Sequence, residues 1–189
     1  MSWLLAGVIV LVVTGFARPA AAQDTPKAEV SVGYQWLAGK SSGDEEWTKF
    51  PKGFYVDVAG NVSDTLSIVG QFSGNYKKFD DDDFNLKLHT YLVGIRGSSP
   101  GRVRGYGQFL IGGAQFKGSS DLFDFSASET DLAIQLGGGV NVLGSSPVGL
   151  RVGVDYLRVF SKDDGEVLEG EDVNGFRFIA GVTFGIGNR

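Results

Sequence analysis

At 189 residues the chain suits one domain, with or without a removable leader. It contains no cysteine, which excludes a disulfide scaffold, a thiol nucleophile and a Cys-based zinc site. Its formal charge of −5 argues against a nucleic-acid surface, and its 29 glycines have no fixed period, which excludes a collagen-like repeat.

The chain opens on an apolar run, LLAGVIVLVV at 4–13, and reaches Ala20-Ala21-Ala22 before Gln23. A short hydrophobic core ending at an A-x-A site predicts a secretory signal peptide over 1–22. Arg18 limits the apolar stretch to about 15 residues, short of the roughly 20 a membrane-spanning helix needs. The pattern departs from the usual leader in one respect, since no Lys or Arg precedes the run. Residues 23–189 then form a single domain.

From residue 27 onward the period is two, the mark of strands with two unlike faces. Strands are predicted at 27–38, 53–62, 66–77, 86–96, 102–116, 130–142, 148–160 and 174–187. In the first, Val30, Val32, Tyr34 and Trp36 oppose Glu29, Ser31, Gly33 and Gln35. Each runs about 10–15 residues; tilted strands crossing a bilayer need about 9–11, and globular strands average about 5–6. Short polar links at 63–65, 97–101 and 143–147 alternate with longer ones at 39–52, 78–85, 117–129 and 161–173. That order predicts an all-β, eight-stranded antiparallel up-and-down transmembrane β-barrel, with short turns and both termini on the periplasmic side.

The polar face is crowded with small residues, among them Ser31, Gly33, Ala59, Gly137, Gly139, Gly153 and Gly181. In the lumen of an eight-stranded barrel they make room for larger neighbours. The bulky, nearly uncharged face then meets lipid, where a Lys or Arg at the midplane costs about 2–4 kcal/mol. On that cost, strand 86–96 is framed with Leu86, Leu88, Thr90 and Leu92 outward, Lys87 and His89 inward, and Arg96 outward at the periplasmic rim. Trp36, Phe54, Tyr76, Tyr156 and Phe176 are expected in an aromatic girdle near the outer ends. The lumen should hold Glu29, Asp57, Lys87, Arg102, Arg104, Asp131, Arg151, Asp155 and Arg177. Asp131, Asp155 and Arg177 would form an outer cluster, and Glu29, Arg102, Arg104 and Arg151 a lower one. Buried charges persist when paired, so a salt-bridged plug is preferred to a narrow pore.

The segments LVGIRG (92–97), QFLIGGAQF (108–116), LGGGVNV (136–142), LRVGVDYLRVF (150–160) and FRFIAGVTFGIG (176–187) resemble the small outer-membrane β-barrel superfamily. That superfamily is typified by the transmembrane domains of outer membrane proteins A and X, and its glycine-rich, porin-family-like versions come nearest. The resemblance spans 27–187. It implies residence in the cell outer membrane of a Gram-negative bacterium, after export through the periplasm and insertion by the barrel-assembly machinery. Barrels of this kind often finish on an aromatic residue, whereas Phe184 here is followed by Gly-Ile-Gly-Asn-Arg, so the assembly signal is displaced inward.

Other motifs point to little chemistry. His89 is the sole histidine, and no nucleophile motif accompanies it as a lipid hydrolase would require. The acidic runs at 80–83 and 163–172 lack the ligand spacing of an EF-hand and read as solvated loop charge, bridged through divalent ions to lipopolysaccharide phosphates. Arg158, outward near the outer rim, suits a direct phosphate contact. Gly112-Gly113 and 137–139 lie within strands and are not phosphate loops. The expectation is a non-enzymatic barrel without cofactor or metal, acting structurally or through four outer loops whose partner the sequence does not name. Its other partners are outer-membrane lipids and lipopolysaccharide, with no nucleic acid. The alternatives are a narrow small-solute channel and a soluble β-barrel binding an apolar ligand.

Overall fold

The computed structural model describes residues 25–41, 47–79, 84–120, 125–143, 148–160 and 173–188; the leader at 1–22 lies outside them. Nine strands follow in chain order: β1 (Pro26–Ser41), β2 (Thr48–Phe50), β3 (Lys52–Asn61), β4 (Leu66–Phe79), β5 (Phe84–Ser98), β6 (Val103–Ser120), β7 (Phe125–Leu143), β8 (Val148–Phe160) and β9 (Val173–Asn188). All pairings are antiparallel between neighbours, and β9 returns to pair with β1 from Pro26↔Asn188 to Ser41↔Val173. The result is a closed eight-stranded barrel, because β2 and β3 make one stave. Register passes from Leu37↔Phe50 to Tyr34↔Phe54, so residues 51–53 bulge opposite Gln35 and Trp36. Pro51 sits at this break, where a residue without an N–H costs the ladder least.

Among the described residues two tight turns lie at the periplasmic end; the expected third, at 143–147, falls outside them apart from Leu143. In the first, Leu66 N donates to Ser63 Oγ at 3.0 Å and Val62 N donates to Leu66 O at 2.9 Å. In the second, Gly105 N donates to Ser99 Oγ at 3.0 Å, and Gly101 adopts a φ of 111° that favours glycine. At the opposite end the strands run on past their apolar segments. β6 and β7 have 18 and 19 residues, and their ladder extends to Ser119↔Ser126. Much of the expected link at 117–129 is therefore hairpin, as are Phe79↔Phe84 within 78–85 and Thr48–Phe50 within 39–52. Loss of hydrophobic alternation marks the edge of the bilayer, not the end of backbone pairing. The acidic runs at 80–83 and 163–172 lie outside the described residues.

The two faces are inverted relative to a water-soluble barrel. Leu136 and Leu150 are each 62 % exposed and Val152 and Ile68 each 56 %, while Asp57, Asp155 and Arg177 are fully buried. An apolar exterior with a charged interior excludes the soluble, apolar-ligand alternative.

The inward glycines have a specific task. Gly33 and Gly181 lie opposite one another on β1 and β9, and a Cβ on either would strike the Tyr55 ring or hydroxyl. Gly139 and Gly153 form the same arrangement on β7 and β8 beneath the hydroxyl of Tyr106. Each pair leaves the hollow that one lumenal tyrosine fills.

Strand β5 overturns the expected frame. Leu88, Thr90, Leu92 and Arg96 are all 4 % exposed or less and point inward, whereas Tyr91, Val93 and Ile95 are 53–55 % exposed. Lys87 and His89 consequently face outward; the side chain of Leu86 lies outside the described residues. The lipid penalty misled because Lys87 stands at the outer rim, level with Tyr76 of β4, where the bilayer cost falls to about 0–1 kcal/mol. Arg96, by contrast, lies deep enough to need a buried carboxylate.

Candidate functional site

The lumen is crossed by one chain of charged and polar side chains. At its periplasmic end Arg104 Nη1 donates to Glu29 Oε1 at 2.6 Å, and Asn61 Nδ2 donates to the same oxygen at 3.3 Å. Arg151 bridges Glu29 Oε2 at 3.5 Å to Asp57 Oδ2 at 2.5 Å. Arg96 Nη2 reaches Asp57 Oδ2 at 3.0 Å and also donates to Gln108 Oε1 at 2.8 Å. Gln108 Nε2 donates to Asp155 Oδ1 at 2.9 Å, and Asp155 Oδ2 stands 3.6 Å from Arg177 Nη2. Arg177 completes the chain by donating to Ser73, Gln71 and Gln135. Tyr106 lies between two of these cations, with Arg96 and Arg151 each 5.2 Å from its ring centroid.

Beyond this chain, toward the outer end, apolar side chains join the lumen among buried polar ones, Gln35, Asn75 and Asp131. Leu37, Phe50, Leu88, Ala133, Leu157 and Val159 are the outer members of a buried apolar cluster that continues inward through Leu92 and Leu110 to Ala59 and Val69. The sequence reading missed these inward apolar residues, because it treated the inward face as polar along its whole length. Leu157 and Val159 alternate in phase with Asp155 and Arg151, so a close reading of β8 alone carried the signal.

The expected lumenal residues divide as follows. Glu29, Asp57, Arg104, Arg151, Asp155 and Arg177 meet in the chain just described. Arg96 joins them, contrary to its expected outward frame. Asp131 is buried, but its Oδ1 has no protein hydrogen-bond partner, so the expected outer cluster reduces to Asp155 with Arg177. Lys87 is outside the lumen, and Arg102 is exposed in the periplasmic turn before β6, where the strand has not yet begun. Among the described residues no group of His, Cys, Asp or Glu is placed to hold a metal ion.

On the outer wall the five expected aromatics all face outward and sit in contact networks. Trp36 packs on Phe178 at 5.3 Å between centroids, Phe54 stacks on Tyr76 at 6.3 Å, and Tyr156 meets Phe176 at 5.5 Å. His89 joins this belt: it stacks on Phe72 at 6.2 Å, and its Nε2 lies 3.4 Å from the Tyr76 hydroxyl. Arg158 lies half-buried over the Phe160 ring at 4.8 Å.

A closed barrel with an apolar belt and a charge-filled lumen agrees with what the sequence itself matches. The family model described as outer membrane protein beta-barrel domain aligns with residues 8–187. The chain belongs to that family. Among solved structures it resembles Ail, the attachment invasion locus protein of Yersinia pestis, at 21 % identity and a TM-score of 0.57, covering 85 % of this chain and 99 % of that one. It also resembles Neisserial surface protein A at 17 % identity and a TM-score of 0.65, covering 85 % and 97 %. Ail in complex with the heparin analogue sucrose octasulfate aligns at 19 % identity and a TM-score of 0.54, covering 85 % and 99 %. No curated protein matches the chain significantly. As an outer-membrane barrel it resides in the cell outer membrane, with the tight turns toward the periplasm and the long hairpins outward.

Proposed function

We propose that this outer-membrane barrel is a closed, non-catalytic scaffold that acts through its outer hairpins. The observation that carries the reading is the filled lumen: four arginines and three carboxylates cross it in one bonded chain, and buried side chains such as Leu37, Leu88 and Leu157 fill it further out. A pore would need the ion pairs and this packing to part together. Activity is thereby directed to the outer end, where β6 and β7 carry the wall beyond the bilayer. There the acidic runs at 80–83 and 163–172 favour a cationic or divalent-bridged partner over a polyanion of the kind seen bound to Ail. Outer-membrane lipids and lipopolysaccharide surround the wall, and the barrel-assembly machinery inserts it after removal of residues 1–22. Planar-bilayer recording tests the reading: no stepwise conductance is expected, and a steady single-channel current would replace it with the narrow-channel alternative.

A further inference from the structure

The corrected frame of β5 creates a feature that the inward placement of Lys87 and His89 had concealed. Lys52 of β3 pairs with Tyr76 of β4, and Tyr76 pairs with Lys87 of β5. All three point outward, so two exposed lysines flank Tyr76 in a single cross-strand row, with the phenol hydroxyl turned toward Gly74 and His89 just below it. Neighbouring strands lie about 4.8 Å apart, which sets the two lysine backbones about 10 Å apart and lets both flexible side chains converge above Tyr76. His89 adds a ring nitrogen 3.4 Å from that hydroxyl. On the bilayer side the row stands directly on aromatic rings. Phe54 stacks on Tyr76 at 6.3 Å, and Phe72 packs against Phe54 at 5.6 Å and Tyr91 at 5.0 Å. Gly74 helps to shape this surface, because a Cβ there would press on Phe54 at 2.8 Å.

We propose that Lys52, Tyr76 and Lys87, with His89 beside them, form a binding site for a phosphate group of the outer leaflet's glycolipid, with its acyl region against the aromatic wall below. Two point cations and hydroxyl and imidazole hydrogen-bonding groups complement a phosphate monoester. The aromatic floor complements the apolar part of the same molecule, at the depth where interfacial aromatics sit. A soluble anion would use only the upper half of this surface; a phosphorylated lipid uses both. The site rests on the outer-membrane placement of the barrel but not on what its outer hairpins bind.

The test uses the full barrel in phosphatidylcholine vesicles containing a minor fraction of diphosphoryl lipid A, with lipid retained after mild detergent extraction counted by native mass spectrometry. Parallel vesicles carry dephosphorylated lipid A or phosphatidylglycerol. Taking each lysine near a headgroup at its typical surface contribution, the Lys52→Gln/Lys87→Gln variant should retain diphosphoryl lipid A about thirtyfold less well than the native chain. Lys52→Arg/Lys87→Arg should keep it, and the dephosphorylated lipid should be lost from all three. Equal retention by the native chain and the Gln variant, or of the two lipid A forms, overturns the proposal. A preference for phosphatidylglycerol also overturns it, by assigning the site to phospholipid. Heat-dependent gel mobility, measured on every sample, separates failure of the site from failure to form the barrel.

Discussion

Arg96 Nη2 lies 3.0 Å from Asp57 Oδ2 across the lumen, joining β5 to β3 although β4 runs between them on the wall. Asp57 also holds Arg151 from the far side, so one carboxylate separates two buried guanidinium groups. Removing it leaves both cations facing one another in a region closed to water. Asp57→Ala should therefore cost about 3–5 kcal/mol, the usual penalty for breaking a buried ion pair. Urea unfolding in lipid vesicles measures it, and a loss below about 1 kcal/mol would show that the pair is hydrated.

The frame of β5 makes a second pair of expectations, unequal in size. Val93 faces lipid well below the rim, so Val93→Lys should destabilise the barrel by about 2–4 kcal/mol. Lys87→Leu should change stability by under about 1 kcal/mol, because Lys87 stands at the interface. Reversal of that order in the same unfolding assay would restore the frame in which Lys87 points inward.

Much of this architecture was legible from the sequence. Period-two alternation placed all eight staves, and the contrast between turns such as 63–65 and the longer links gave the orientation. Inward glycines were correctly read as space for larger neighbours, although the tyrosines they serve could not be named, because Tyr55 and Tyr106 lie on β3 and β6, far in sequence from their hollows. Three features were not legible for identifiable reasons. A per-residue lipid cost has no depth information, so Lys87 decided a frame that Arg96 should have decided. Turn boundaries depend on where pairing starts, which left Arg102 in the turn although its parity is inward. Strand ends were placed where hydrophobicity faded, while β6 and β7 stay paired by their backbones beyond that point.

The leader supplies a third prediction. Protein recovered from outer membranes should begin at Gln23, as read by intact mass or N-terminal sequencing. Ala22→Asp should accumulate uncleaved precursor, because the small-residue site is then occupied by a charge. A mature chain that retains residues 4–13 would contradict the assignment of 1–22 as a signal peptide.

The glycine hollows give a prediction with an internal control. A Cβ on Gly153 would meet the Tyr106 hydroxyl first, whereas one on Gly139 would meet the backbone carbonyl of Val152 first. Each single change to alanine should cost about 1–3 kcal/mol, the range for overpacking a filled interior. Deleting one oxygen should separate them. In a Tyr106→Phe background, Gly153→Ala should recover most of its loss, because the principal obstacle has gone, while Gly139→Ala should not, because a backbone atom cannot retreat. Unfolding free energies of the two double variants, each compared with Tyr106→Phe alone, decide the matter. Equal recovery at both sites would mean that the barrel wall yields at Gly139 and that the hydroxyl is the obstacle there too, whereas no recovery at either would mean that Tyr106 does not set the size of its hollow.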